Sequence, residues 1–123
     1  MEQQKNNVNY TIQFNYRHGK IRLSLSVLKG LNNPRYVQFF VDGSEHKLMV
    51  VGVDEYNVDC ITNPLLTNQR RKEFVLNGQP FIKKLCDLMS WDLINTHRVL
   101  GELDEGSRCV TFDLNNKIIA EQE

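Results

Sequence analysis

Between residues 10 and 16 the chain alternates strictly. Tyr10, Ile12, Phe14 and Tyr16 fall on one side, and Thr11, Gln13 and Asn15 on the other. A period of two sends successive side chains to opposite faces of a strand, so this stretch predicts a half-buried strand. Arg17-His18-Gly19 reads as a turn. Lys20-Ile21-Arg22-Leu23 resumes the alternation, which makes the two runs a hairpin. At Ser24 the period lengthens. Leu25, Leu28 and Leu31 are spaced for one face of a short helix with Ser24 as its N-cap, and Asn32-Asn33-Pro34 ends it. Residues 36–41 are almost continuously apolar, the pattern of a strand buried on both faces. Asp42-Gly43-Ser44-Glu45 is a turn, and residues 46–53 return as a strand.

The pattern dissolves over residues 54–72. Asn63-Pro64 and the polar run 67–72 predict a linker, parts of which Val58, Ile61, Leu65 and Leu66 can pack down. Residues 73–76 form a short strand. Asn77-Gly78-Gln79-Pro80 starts a helix, with Asn77 or Gly78 near the N-cap and Pro80 in the first turn. Phe81, Leu85, Leu88 and Met89 then form an amphipathic stripe, with Trp91 closing the same core. Residues 92–96 are a loop, 98–103 a strand, 104–107 a turn and 108–114 the returning strand. From Asn115 the tail is polar apart from Ile118 and Ile119.

The expected fold is α+β within one domain over residues 1–123, mostly antiparallel β with two short helices. Unit one covers about 10–53, the linker 54–72, unit two about 73–114 and the polar tail 115–123. Each unit runs strand, helix, strand, turn, strand, and both turns combine Asp, Gly and Ser. That order predicts two pseudo-repeated strand–helix–hairpin units. Such halves can bury each other's apolar faces as a monomeric pseudo-dimer, and residues 10–16, taken as an edge strand, offer a homodimer contact instead.

Composition narrows the chemistry. Apolar residues make up 41% of the chain and charged residues 24%, which is globular usage. Cys60, Cys86 and Cys109 are odd in number, widely spaced and away from any histidine at ligand spacing. They predict reduced thiols, no metal and a cytoplasmic setting. No apolar run is long enough to span a bilayer. His18, His46 and His97 are scattered, no serine lies in a G-x-S-x-G frame, and the seven glycines fall singly at turns rather than in a phosphate-cradling loop. The chain is therefore expected to be non-enzymatic, without catalytic residues or cofactor.

Net charge is zero, yet the charges are segregated. Residues 1–53 hold seven Lys/Arg against three acids, and residues 73–123 hold five against nine. A polarised molecule of this kind points to charged partners. The basic candidates are Arg17, Lys20, Arg22, Lys29 and Arg35 for nucleic acid. Arg70, Arg71 and Lys72, with Asp104 and Glu105, are candidates for a protein partner.

The run Gly19-Lys20-Ile21-Arg22-Leu23-Ser24-Leu25-Ser26-Val27-Leu28-Lys29-Gly30-Leu31-Asn32, followed by the strand pair at 37–42 and 48–51, resembles the AbrB/SpoVT swapped-hairpin family. The resemblance implies two strand–helix–hairpin units intertwined into a DNA-binding sheet, with Lys20 and Lys29 at DNA-contacting positions. Ser24 stands where that family usually has proline, and Leu28 where it often has a basic residue. The expected function is thus an AbrB-like DNA-binding regulator of bacterial or mobile-element origin, with duplex DNA as partner. The alternative is a protein inhibitor of a host nuclease, of anti-CRISPR type, that blocks guide-RNA or DNA loading through its acidic half or the linker.

Overall fold

The computed structural model describes residues 8–63 and 73–120. Within them, nine strands form one antiparallel sheet curled into an open half-barrel, with two α-helices. In chain order these are β1 (Tyr10–Asn15), β2 (Lys20–Leu23), α1 (Leu25–Gly30), β3 (Tyr36–Asp42), β4 (Lys47–Val53), β5 (Ile61–Thr62), β6 (Phe74–Asn77), α2 (Gln79–Met89), β7 (His97–Asp104), β8 (Cys109–Asp113) and β9 (Ile118–Ile119). The strands run across the sheet in the order β5-β3-β4-β8-β7-β1-β2-β6, and β9 adds to β7 beside β8.

The alternation expected of β1 and β2 is what the sheet uses. Ile12, Phe14, Ile21 and Leu23 point into the curl and are buried. Val37, Leu48, Val50, Val99, Val110 and Phe112 meet them from the remaining strands. The hairpin joining β1 to β2 closes at Gly19, whose φ of +66° is left-handed. Glycine suits that position twice over, because a Cβ there would also stand 3.2 Å from the Gln79 Cβ.

α1 closes one end of the curl with Val27, Leu28 and Leu31. Ser24 is its N-cap residue, but its hydroxyl does not cap the helix. It accepts the Thr11 amide at 3.0 Å and so ties α1 to β1. α2 has Gly78 as its N-cap residue and Pro80 in its first turn, as expected, and stops where Ser90 turns left-handed at φ 59°.

Four expectations are corrected. β1 is not an edge strand, since β2 and β7 pair with its two sides along most of its length; it offers no homodimer edge. β3 is not buried on both faces: Phe40, on the face opposite buried Val37, is 45% exposed because that face of the sheet is bare, and Val41, on Val37's face near the end of the strand, is 40% exposed. The buried stripe of α2 is Ile82, Leu85 and Cys86, with Phe81 and Met89 partly covered, whereas Leu88 faces outward. The presumed linker and tail also contribute to the sheet. β5 pairs with β3, buried Asn63 donates to the Pro34 carbonyl at 2.8 Å, β9 pairs with β7, and Ala120 is buried.

The hairpins β3–β4 and β7–β8 are built alike. Asp42 pairs with Lys47 and Asp104 with Cys109 at their ends. The Asp42 carboxylate accepts the Ser44 amide, and the Asp104 carboxylate accepts the Gly106 amide. His46 and Arg108 are both left-handed. The Gly52 amide donates to the Arg108 carbonyl while the Leu114 amide donates to that of His46. Each of these residues in the first hairpin precedes its counterpart in the second by the same number of positions.

Candidate nucleic-acid interface

Because apolar side chains fill the curl, polar positions of the same strands are forced onto its outer face. Register then decides which become neighbours. Gln13 on β1 lies opposite Arg22 on β2 and Arg98 on β7, so the three form one row across adjacent strands about 4.8 Å apart. Asn15, Lys20 and Asn77 form a second row across β1, β2 and β6. Thr11 sits opposite Leu100 in a third. A shallow groove of about 290 Å³ runs among Thr11, Gln13, Arg22, Ser24, Glu73 and Arg98.

The cations in these rows have polar partners. Arg98 donates from Nε to the Gln13 amide oxygen at 2.8 Å. Lys20 Nζ donates to Asn77 Oδ1 at 2.6 Å. Arg22 pairs with Glu73 at 2.7 Å, both side chains about half exposed. An ion pair so open to water is worth roughly 0.2–1 kcal/mol, so Arg22 is easily redirected to another anion.

The five basic candidates do not make one patch. Lys20 and Arg22 share the outer face of β2. Arg17 lies exposed at the turn before that strand. Lys29 lies in the last turn of α1, which begins at the end of the hairpin opposite the turn, and Arg35 lies beyond that helix, just before β3. Arg98 was missed from sequence. It occupies a polar position in β7's alternation, but it belongs to the acidic half, and only the pairing of β7 with β1 brings it beside Gln13. Gln13, Asn15 and Asn77 were missed for the same reason.

Asp104 and Glu105 are exposed, and Asp104 spends its carboxylate on the turn amide of Gly106. Glu102 points outward from the same end of β7. Arg70, Arg71 and Lys72 lie outside the described residues. The histidines stand apart. His18 is on the β1–β2 turn, His46 bonds Asn115 at 3.1 Å, and His97 is buried with Nε2 donating to the Asp92 carbonyl at 2.8 Å and its ring stacked 4.9 Å from Trp91. Among the described residues no three His, Cys, Asp or Glu side chains converge as metal ligands. Cys60, Cys86 and Cys109 are free, and burial pushes the Cys86 thiol up, away from the reactive thiolate. The Asp92 carboxyl is held down at about 2, chiefly by the Asn95 amide that bonds it. No helix among the described residues is long and apolar enough to cross a membrane.

Compared with protein-family models, curated proteins and solved structures, the chain matches none.

Proposed function

We propose that this protein is a non-enzymatic DNA-binding regulator that contacts duplex DNA with the outer face of β6-β2-β1-β7. The observation that carries the reading is the cross-strand row Arg22–Gln13–Arg98 beside the row Asn77–Lys20–Asn15. Asparagine and glutamine amides match the donor–acceptor pair of adenine, and arginine matches guanine or a phosphate. A twisted β-ribbon presenting such groups outward is a shape the major groove admits.

The two units read as diverged copies of one strand–helix–hairpin, in keeping with the swapped-hairpin resemblance. Exchanging β1, β2, β3 and β4 for β5 (from the expected linker), β6, β7 and β8 carries the pairings β1·β7 and β3·β4 onto β5·β3 and β7·β8 and β2·β6 onto itself, while β1·β2 has no counterpart because β5 and β6 do not pair among the described residues. It also carries β4·β8 onto itself with Met49 opposite Thr111. The reciprocal hydrogen bonds between Gly52 and Arg108 and between Leu114 and His46 obey the same exchange. On this reading the chain is a pseudo-dimer within one polypeptide, with the DNA-contacting rows gathered mainly on unit one.

A fluorescence-anisotropy titration of duplex DNA at low salt tests the function. Wild type should bind with an affinity that falls as salt rises. Lys20→Glu combined with Arg22→Glu should weaken binding by about 10-fold or more and flatten the dependence on salt by about one unit per lost contact. Absence of any shift at low salt would sink the reading. The inhibitor reading rests on the exposed acids Glu102, Asp104 and Glu105 at the far end of β7. It predicts that reversing Asp104 and Glu105 abolishes capture of a basic nuclease while leaving DNA untouched.

A further inference from the structure

The outer-face groove holds a feature that the DNA reading does not require. Arg22 and Arg98 flank Gln13, and they differ in what occupies them. The Nε of Arg98 is fixed on the Gln13 amide oxygen at 2.8 Å, which aims the guanidinium along the row. Its two terminal nitrogens have no hydrogen-bond partner among the described residues. Arg22 is held instead by a carboxylate, Glu73 Oε1, at 2.7 Å. Glu73 is the residue just before β6, and it lines the same groove as both arginines.

We infer that the groove between Arg22 and Arg98 is a phosphate subsite, and that Glu73 is its intramolecular competitor. Charge and exposure carry this. A carboxylate and a phosphate compete for the same guanidinium donors, and a doubly or singly charged phosphate with three or two free oxygens can engage both arginines where Glu73 engages one. The pair is half exposed, so the exchange needs no desolvation of a buried charge. In the free protein Glu73 lowers the groove's positive charge. When phosphate enters, Arg22 turns to it and the carboxylate is released to water. The Thr11 and Ser24 side chains on the groove wall add hydroxyl oxygens near the anion, although the Ser24 hydroxyl already accepts the Thr11 amide.

The phosphate can belong to a nucleic-acid backbone or to a small free phosphate, and the DNA-backbone case rests on the function proposed above. Two probes separate them: inorganic pyrophosphate, followed by chemical shifts of the arginine Nε–H groups, and a short DNA duplex, followed by anisotropy. Glu73→Gln keeps the shape and removes the charge. It should tighten both probes by about two- to five-fold, the worth of the exposed ion pair it removes. Arg22→Ala and Arg98→Ala should each weaken both. Thermal melts of all three variants check folding, and Glu73→Ala repeats the charge removal if Glu73→Gln melts low. Equal or weaker binding of both probes by both Glu73 variants overturns the inference. The DNA reading survives that result if wild type still binds duplex through Arg22. Binding of pyrophosphate without duplex supports the subsite and overturns the DNA reading. Failure of every variant to bind either probe overturns both.

Discussion

Replacing Gly101 by alanine should destabilise the protein by about 1.5 kcal/mol, and the figure follows from the geometry of the curl. Gly101 points inward from β7, directly opposite Phe112 on β8. An added Cβ would stand 2.6 and 2.7 Å from two ring carbons of Phe112 and 2.9 Å from the Val110 Cγ1. Carbon atoms rest about 3.5–4.0 Å apart, so the ring would have to retreat by about 1 Å. It has nowhere to go. Phe112 and Val110 are fully buried, and Leu48 on β4 stands opposite Phe112 on its other side. Overpacking of this kind costs about 1–3 kcal/mol, and alanine recovers about 0.5–1 kcal/mol of the entropy that a strand glycine loses. With the ring unable to retreat, the cost falls at about 2–3 kcal/mol and the net is a loss of about 1–2.5 kcal/mol, or a melting point several degrees lower. Urea unfolding followed by fluorescence reads it cleanly, because the chain's one tryptophan, Trp91, stacks on His97 and lies 6.1 Å from the Phe14 ring in the core. Phe112→Leu supplies the internal control. It removes the ring edge that the new methyl strikes, so the double variant should be more stable than the two single losses add up to, by about 0.5–1 kcal/mol. A Gly101→Ala protein as stable as wild type, or strict additivity in the cycle, would refute the steric reasoning.

Two further outcomes follow from local structure. His46→Gly should stabilise by up to about 1 kcal/mol by relieving a left-handed non-glycine residue, whereas Arg108→Gly should destabilise despite the same relief. The reason is that the Arg108 side chain donates twice to the Leu31 carbonyl at the end of α1 and pairs with Asp54; thermal melts of both variants check the contrast. For pH, the folded Asp92 carboxyl titrates at about 2 against an ordinary 3.8, so the fold favours its ionised form. Its contribution is therefore complete above about pH 4 to 5 and is lost as pH falls towards 2. The gap in melting temperature between wild type and Asp92→Ala should be constant from pH 7 to 5 and close between pH 4 and 2; a gap that persists to pH 2 would count against it.

Much of the local structure was legible because each element carried its own signal. Alternation marked β1 and β2, Asp with Gly and Ser marked the two similar hairpin turns, and Gly78 with Pro80 marked the start of α2. The errors arose where a pattern admitted two answers. An apolar run such as β3 fits a strand covered on both faces, but equally one whose second face is bare, and Phe40 shows the latter. On α2, the stripe 81, 85, 88, 89 and the stripe 82, 85, 86, 89 are both helical, and only the position of the sheet selects Ile82 over Leu88. The short strands β5 and β9 were hidden in polar surroundings, because two residues are too few to show a period.

By itself, the sequence determined the longer strands and both helices, which side of β1 and β2 is apolar, and where the chain reverses. Those are local matters of side-chain period and turn chemistry. The tertiary structure alone decided which hairpins and strands beyond the chain reversals are neighbours. Alternation states that a strand needs a partner and a covered face, but it does not name the partner. That choice belongs to the packing of the whole core, which inserted β7 between β8 and β1. This one insertion removed β1 from the edge and placed Arg98 from the acidic half in the same row as Gln13 and Arg22.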